Sequence, residues 1–293
     1  MEILEKRKLE ELCTLYKLEP ELRDIFVEGI TDEVIIENFR RKNTLRNLQI
    51  YTIDFIDFSC LYNEKPYLRA NCKHKIVELS LHLAKNFEKK LNVTCIADRD
   101  FDDFFDSIIQ NEYLLYTDFH SMEVYLFDEA CFAKFFKDVL HGFPIQPDVV
   151  IKNLGSVLKE LFLVWLTLYK LVSPATSLLL VDIQRNVKIN KDDGSIEFDA
   201  KDYLFKNLNT NGLTSRIGEA TKIYTSLFKN SKKDNKHYIN GHCFINMFWI
   251  YQRKIKDSFH LSNESFDKIL FLCLDYSKLN SYNMFSKIIE KYE

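Results

Sequence analysis

The sequence predicts an α/β fold: a parallel sheet flanked by helices, followed by a mainly helical C-terminal domain. Three observations lead there. Short β-favouring runs alternate with amphipathic helical stretches as far as Asp128, the pattern of a parallel sheet with crossover helices. One of those runs, Val93–Ala97, is β-favouring and free of charge, as expected of a strand buried on both faces. Beyond Asp128 the alternation gives way to long stretches of helical period. The predicted division is 1–128 for the sheet domain and 129–293 for the helical one.

Taken in order, Met1 to Leu18 carries Leu9, Leu12 and Leu15 or Tyr16 on one stripe, and Pro20 stops that helix. Leu22–Val27 reads as the first strand and runs into Glu28-Gly29. Thr31 is then the expected N-cap of a helix over Asp32–Arg41. Gln49–Phe58 alternates and is rich in Ile, Tyr and Phe, so it reads as one strand. Lys73–Lys89 is the next helix, with Ile76, Leu79, Leu83 and Phe87 in line. Val93–Ala97 follows, then a short helix over Phe104–Ile109 and a fourth strand over Tyr113–Tyr116. In the second half, helices are predicted at Ala130–Leu140, Val150–Leu171, Ile217–Phe228, Gly241–Lys256 and Phe266–Ser277. Asp193-Gly194 marks a hairpin within Val187–Phe198.

Composition narrows the class. The chain has 293 residues, 46% of them hydrophobic and 28% charged, which suits a globular protein with a sizeable core. A formal net charge of −3 gives no bulk attraction to nucleic acid, so any such contact needs a local patch or a bound metal. The seven cysteines are scattered and never form C-x-x-C, as expected of reduced thiols in a cytoplasmic protein. The charged start, MEILEKRKLEEL, is not a signal peptide, and the apolar run Leu161–Tyr169 is too short to span a bilayer.

The chemistry is expected where the strands end. The third strand stops at Asp98 and Asp100, and their spacing aims both carboxylates the same way. Two carboxylates about 5 Å apart repel by roughly 3 kcal/mol at an effective dielectric near 20. A pocket holding them either raises a pKa or takes up a cation, and all-oxygen donors favour Mg2+ or Mn2+. The first strand delivers Glu28, with Asp32 one helical turn on, and Glu123 follows the fourth strand. Carboxyl ends of parallel strands face one crevice. Five acids meeting there would suit metal-assisted phosphoryl transfer.

Two segments, FVEGITDE (Phe26–Glu33) and CIADRDFDD (Cys95–Asp103), each close a hydrophobic strand. Together they resemble the Toprim domain of topoisomerases, primases and OLD-type nucleases. The later TDFHSMEVYL (Thr117–Leu126) and YINGHCF (Tyr238–Phe244) resemble the AriB-type effectors of PARIS anti-phage systems and related OLD-like proteins. The resemblance implies that Glu28 is the catalytic acid or base, that Asp98 and Asp100 bind magnesium, and that Asp32 and Glu123 are further ligands. It also implies an effector held inactive by an ABC-type ATPase partner. Once released, it would self-associate as a homodimer and cleave host RNA, tRNA above all. Arg99 and Asp102 depart from many Toprim sequences. The competing readings are a non-catalytic subunit regulating the ATPase and a DNA-directed Toprim nuclease.

Other motifs fail. A calcium loop starting at Asp98 would need Gly where Asp103 stands and Glu where Ile109 stands. A haloacid-dehalogenase phosphatase would carry Thr or Val at Asp102, and a glycosyltransferase D-x-D leaves Glu28-Gly29 unexplained. Neither a P-loop nor G-x-S-x-G occurs. Cys72-x-His74 and His242-Cys243 lack the spacing of zinc sites. For RNA contact the candidates are Lys232, Lys233, Lys236 and Arg253, basic residues beside Tyr238, Trp249 and Tyr251, together with His242 at a helix start.

Overall fold

The structure, a computed structural model, describes residues 6–172, 176–231, 235–256 and 263–293, with the side chains of 263–265 left aside. The chain divides into two compact units, Met1–Met122 with Asp275–Glu293, and Glu123–Leu274. The division falls six residues before the predicted boundary at 128/129. The last stretch of chain returns to the first unit, which sequence reading did not anticipate.

In the first unit β1 (Arg7–Lys8) leads into α1 (Leu9–Leu18), then β2 (Arg23–Val27) and α2 (Ile30–Lys42). The run read as one strand over Gln49–Phe58 is broken: β3 (Leu48–Thr52) gives way to a 3-10 turn at Ile53–Phe55 before β4 (Ile56–Asp57), which pairs with β1. After α3 (Cys72–Asn86) come β5 (Val93–Ala97), the short α4 (Asp102–Phe105) and β6 (Leu114–Tyr116). Strand order in the main sheet is β3-β2-β5-β6, every pair parallel. The fold class is therefore α/β, with parallel sheets flanked by helices.

Alternation along the strands sets the two faces. Phe26 and Cys95, cross-strand partners, join Leu9, Leu12 and Tyr16 of α1 and Ile76, Leu79 and Leu83 of α3 in one core. On the other face lie Ile25 and Thr94, also partners. There the Tyr292 hydroxyl sits 2.8 Å from Thr94 Oγ1, and Phe285 packs 4.6 Å from Phe39 of α2. All five residues of β5 are buried, as a strand covered on both sides requires.

The second unit holds α5 (Glu129–Lys134), continued by a π turn at Phe135–Val139, and the 25-residue α6 (Pro147–Leu171). The hairpin β7 (Val187–Ile189) and β8 (Ile196–Phe198) turns at Gly194, whose φ of +70° and closeness to the Tyr251 hydroxyl leave no room for a Cβ. Then follow α7 (Ala200–Thr210), α8 (Ile217–Asn230), α9 (Gly241–Ile255) and α10 (Asn263–Cys273). An aromatic cluster fastens α9 to α5, with Phe132 and Phe248 stacked at 4.2 Å. The chain closes in the first unit with α11 (Asn283–Tyr292). No helix among the described residues is long and apolar enough to cross a membrane.

Candidate active site at the ends of β2 and β5

Glu28 follows β2 directly, and Asp98 follows β5. The two strands are neighbours in register, so their ends lie side by side. Glu28 Oε1 accepts a hydrogen bond of 2.8 Å from the Asp98 backbone N–H. Acids 70 residues apart in sequence thus meet at one sheet edge. Burial pushes the Glu28 carboxyl up to about 8. The Asp98 N–H and Lys73 pull it down, while the charges of Asp100 and Asp32 push it further up.

Asp32 has a local task as well. Its Oδ2 accepts from the Gly29 N–H at 2.9 Å, tying the first turn of α2. The cap residue is Gly29, in extended conformation, rather than the expected Thr31. The helix begins two residues early because the reach-back of Asp32 satisfies an N–H that a threonine cap would have left to solvent.

Asp100 is held by a loop that its own sequence does not reveal. Its backbone adopts φ of +47°, the left-handed region, where a short polar side chain is tolerated at some cost. Its N–H donates to the His120 carbonyl at 2.8 Å. The Arg99 N–H donates to Thr117 Oγ1 at 3.0 Å, and the Thr117 hydroxyl donates to the Phe119 carbonyl at 2.7 Å. Arg99 Nε also reaches the Thr117 carbonyl at 2.8 Å. The segment Thr117–His120, buried throughout but for Asp118, is the clamp that fixes the Asp98–Asp100 turn.

Lys73, on the first turn of α3, is the residue sequence reading missed. Its Nζ lies 2.9 Å from Asp100 Oδ2 and 2.8 Å from Asp102 Oδ2, with 12% of the side chain exposed. Burial alone would lower the Lys73 pKa, but the two aspartates outweigh it and the pKa is raised. The only sequence signal was a lysine at a helix start, where the macrodipole disfavours it unless acids stand opposite. His120 Nδ1 approaches the other oxygen, Asp100 Oδ1, at 3.7 Å.

The donors at this edge suit a hard divalent ion, since all are carboxylate oxygens and Glu28 carries a buried, acid-flanked carboxyl that a cation would relieve. Asp98, Asp100 and Asp32, with Glu28 beside them, are the residues that would hold it. As the side chains stand, no group of three or more His, Cys, Asp or Glu converges on a metal position among the described residues. Asp100 is instead engaged by Lys73.

The remaining predicted site residues belong to the second unit. Glu123 opens that unit rather than closing the first, and its Oε1 lies 3.8 Å from Nδ1 of the exposed His242. His242 is the second residue of α9, whose cap is Asn240, its side chain accepting from the Cys243 N–H at 3.0 Å. Arg253 lies 4.8 Å over the Trp249 ring. Both line an open cavity of about 290 Å3 with Gln184, Lys191, Ile250 and Lys254. Lys236 sits in a 3-10 turn at Asn235–Tyr238, whereas Lys232 and Lys233 lie outside the described residues.

No model of a known protein family matches this chain, and no curated protein matches it in sequence.

Proposed function

We propose that this chain is a magnesium-dependent Toprim endonuclease that cleaves RNA by phosphodiester bond breakage at the β2–β5 edge. One observation carries the reading: the Glu28 carboxylate docks on the Asp98 amide, with the Asp100 and Asp32 charges acting on it. A carboxyl pushed up to about 8 exchanges its proton near neutral pH, which suits a general acid or base. Glu28 would take the proton from the attacking oxygen. Asp98 and Asp100, with Asp32, would hold Mg2+ or Mn2+, and Glu123 is retained only as a residue of the second unit. When bound, the metal orients the phosphate and offsets its charge. The clamp from Thr117 keeps the Asp98–Asp100 turn in place before substrate arrives.

In this reading the second unit is the mainly helical domain that contacts substrate and partners. The cavity of Lys191, Arg253 and Lys254 beside Trp249 supports a nucleic-acid contact there, with cations for phosphates and an aromatic for bases. Lys232, Lys233, Lys236 and His242 belong to the same proposal. The biological setting is cytoplasmic anti-phage defence: an ABC-type ATPase restrains the chain, and on release a homodimer cuts host RNA, tRNA first. The test uses purified protein with total RNA and with plasmid DNA, in Mg2+ and in chelator. RNA cleavage that chelator stops and Glu28→Ala abolishes is expected. Full cleavage by Glu28→Ala would falsify the role of Glu28, and DNA cleavage alone would move the substrate class.

A further inference from the structure

We propose that the second unit carries a binding site for an organic cation, a guanidinium group on a short apolar stem. The site is an open cavity of about 530 Å3 where α6, β8, α7 and α8 meet, a volume that suits a small ligand. Aromatic rings and carboxylates furnish it together. Phe198 ends β8, and Tyr224 and Phe228 stand one turn apart on α8 with ring centroids 6.2 Å apart. Glu160 comes from α6, and Asp199 is the cap of α7. The exposed Lys201 also lines the cavity and leaves the carboxylates in excess.

Glu160 is half-buried, and among the described residues it has neither a hydrogen bond nor an ion pair. Lys159, the cation next to it in sequence, is taken up elsewhere. Its Nζ donates to the Ser231 carbonyl at 3.1 Å and lies 5.2 Å over the Tyr238 ring. Asp199 commits one oxygen only: Oδ1 accepts from the Lys201 and Asp202 N–H groups, each at 3.0 Å, and Oδ2 has no partner among the described residues. Burial and the Asp199 charge hold the Glu160 carboxyl above its usual range. Burial, then the charges of Glu160 and Asp199, raise the Tyr224 hydroxyl likewise. A cation relieves this arrangement. It gains charge-assisted hydrogen bonds from the acids and cation–π attraction from the rings. A guanidinium does both at once, because its flat face stacks on an aromatic ring while its edge forks to a carboxylate. An anion or an uncharged ligand would leave Glu160 without a counter-charge.

The experiment is calorimetric titration of the full chain with butylguanidine, with its neutral isostere butylurea, and with a blocked Gly-Arg-Gly tripeptide. The native chain should bind the guanidinium one to one and butylurea at least about tenfold more weakly. Glu160→Gln should cut the guanidinium affinity about tenfold and leave butylurea where it was. Phe228→Ala removes a ring that is 49% exposed, so the core is spared, and should cut the affinity several-fold. Tighter binding of butylguanidine than of the tripeptide supports the assignment with a free small molecule as occupant. The reverse order supports it with an arginine side chain of a partner. Equal affinities for butylguanidine and butylurea, no binding of either guanidinium, or binding that both variants leave untouched would overturn it. Should Glu160→Gln not fold, Phe228→Ala decides the location in its place. Neither metal nor cleavage enters this readout, so its result is independent of the chemistry at the β2–β5 edge.

Discussion

The charged groups of the two units are handled in opposite ways. At the β2–β5 edge of the first unit, the acids are tied into the backbone: the Glu28 carboxylate accepts from the Asp98 N–H, the Asp32 carboxylate accepts from the Gly29 N–H, and the Asp100 N–H donates to the His120 carbonyl. In the cavity of the second unit, Lys191, Arg253 and Lys254 project from a hairpin turn and a helix end into solvent. Buried, fixed charges have shifted proton affinities and respond steeply to a single change. Exposed cations act additively and are screened by salt. The difference teaches where to look for chemistry and where for binding. Substitutions at the edge should be all-or-none, and substitutions in the cavity should be graded.

The sharpest contrast, after the loss of activity expected of Glu28→Ala, concerns Thr117. Thr117→Val keeps the shape but strands the half-buried Arg99 N–H and the buried Phe119 carbonyl, at a cost of about 2–4 kcal/mol. Denaturant unfolding should register that loss, and cleavage should fall with it because the Asp98–Asp100 turn slackens. An unchanged midpoint would remove the clamp from the account.

Next comes the pH dependence of Glu28. Its folded pKa, about 8, lies above the unfolded value, so between the two the folded state binds more protons. Its contribution to stability is full in acid, declines as pH rises from the unfolded pKa, and is gone above about 8. Glu28→Gln removes that decline and keeps an oxygen for the Asp98 N–H. In the absence of metal, the variant should therefore be more stable than the native chain at pH 8, by roughly 4 kcal/mol, with the gap closing toward pH 5. A gap that widened in acid would reverse the assignment.

The smallest effect belongs to the cavity. Arg253→Ala should weaken RNA binding only several-fold and lower the salt slope by about one. Fluorescence titration at several salt concentrations measures both. A loss as complete as that at Glu28 would erase the distinction between the two regions.

Much of the edge was legible in the sequence because burial leaves a plain mark. Val93–Ala97 could only be a covered strand, and the acids at its end stand out against it. The first strand and Glu28 were readable for the same reason. What escaped has physical causes. Lys73 looks like any helix-start lysine until Asp100 and Asp102 are brought opposite it by folding. Thr117 acts through one hydroxyl toward a backbone group 18 residues away, which no local pattern encodes. The break in Gln49–Phe58 occurs within an alternating run, where Asp54 turns to meet Lys75 Nζ at 3.0 Å. The return of α11 rests on long-range contacts such as Tyr292 with Thr94.

The most direct measurement is an anomalous difference map from crystals of the full chain soaked in Mn2+. The account predicts a peak within bonding distance of Glu28 or Asp98 carboxylate oxygens at the ends of β2 and β5. A well-occupied Mn2+ elsewhere, with that edge empty and Glu28 still bonded only to the Asp98 N–H, would contradict it.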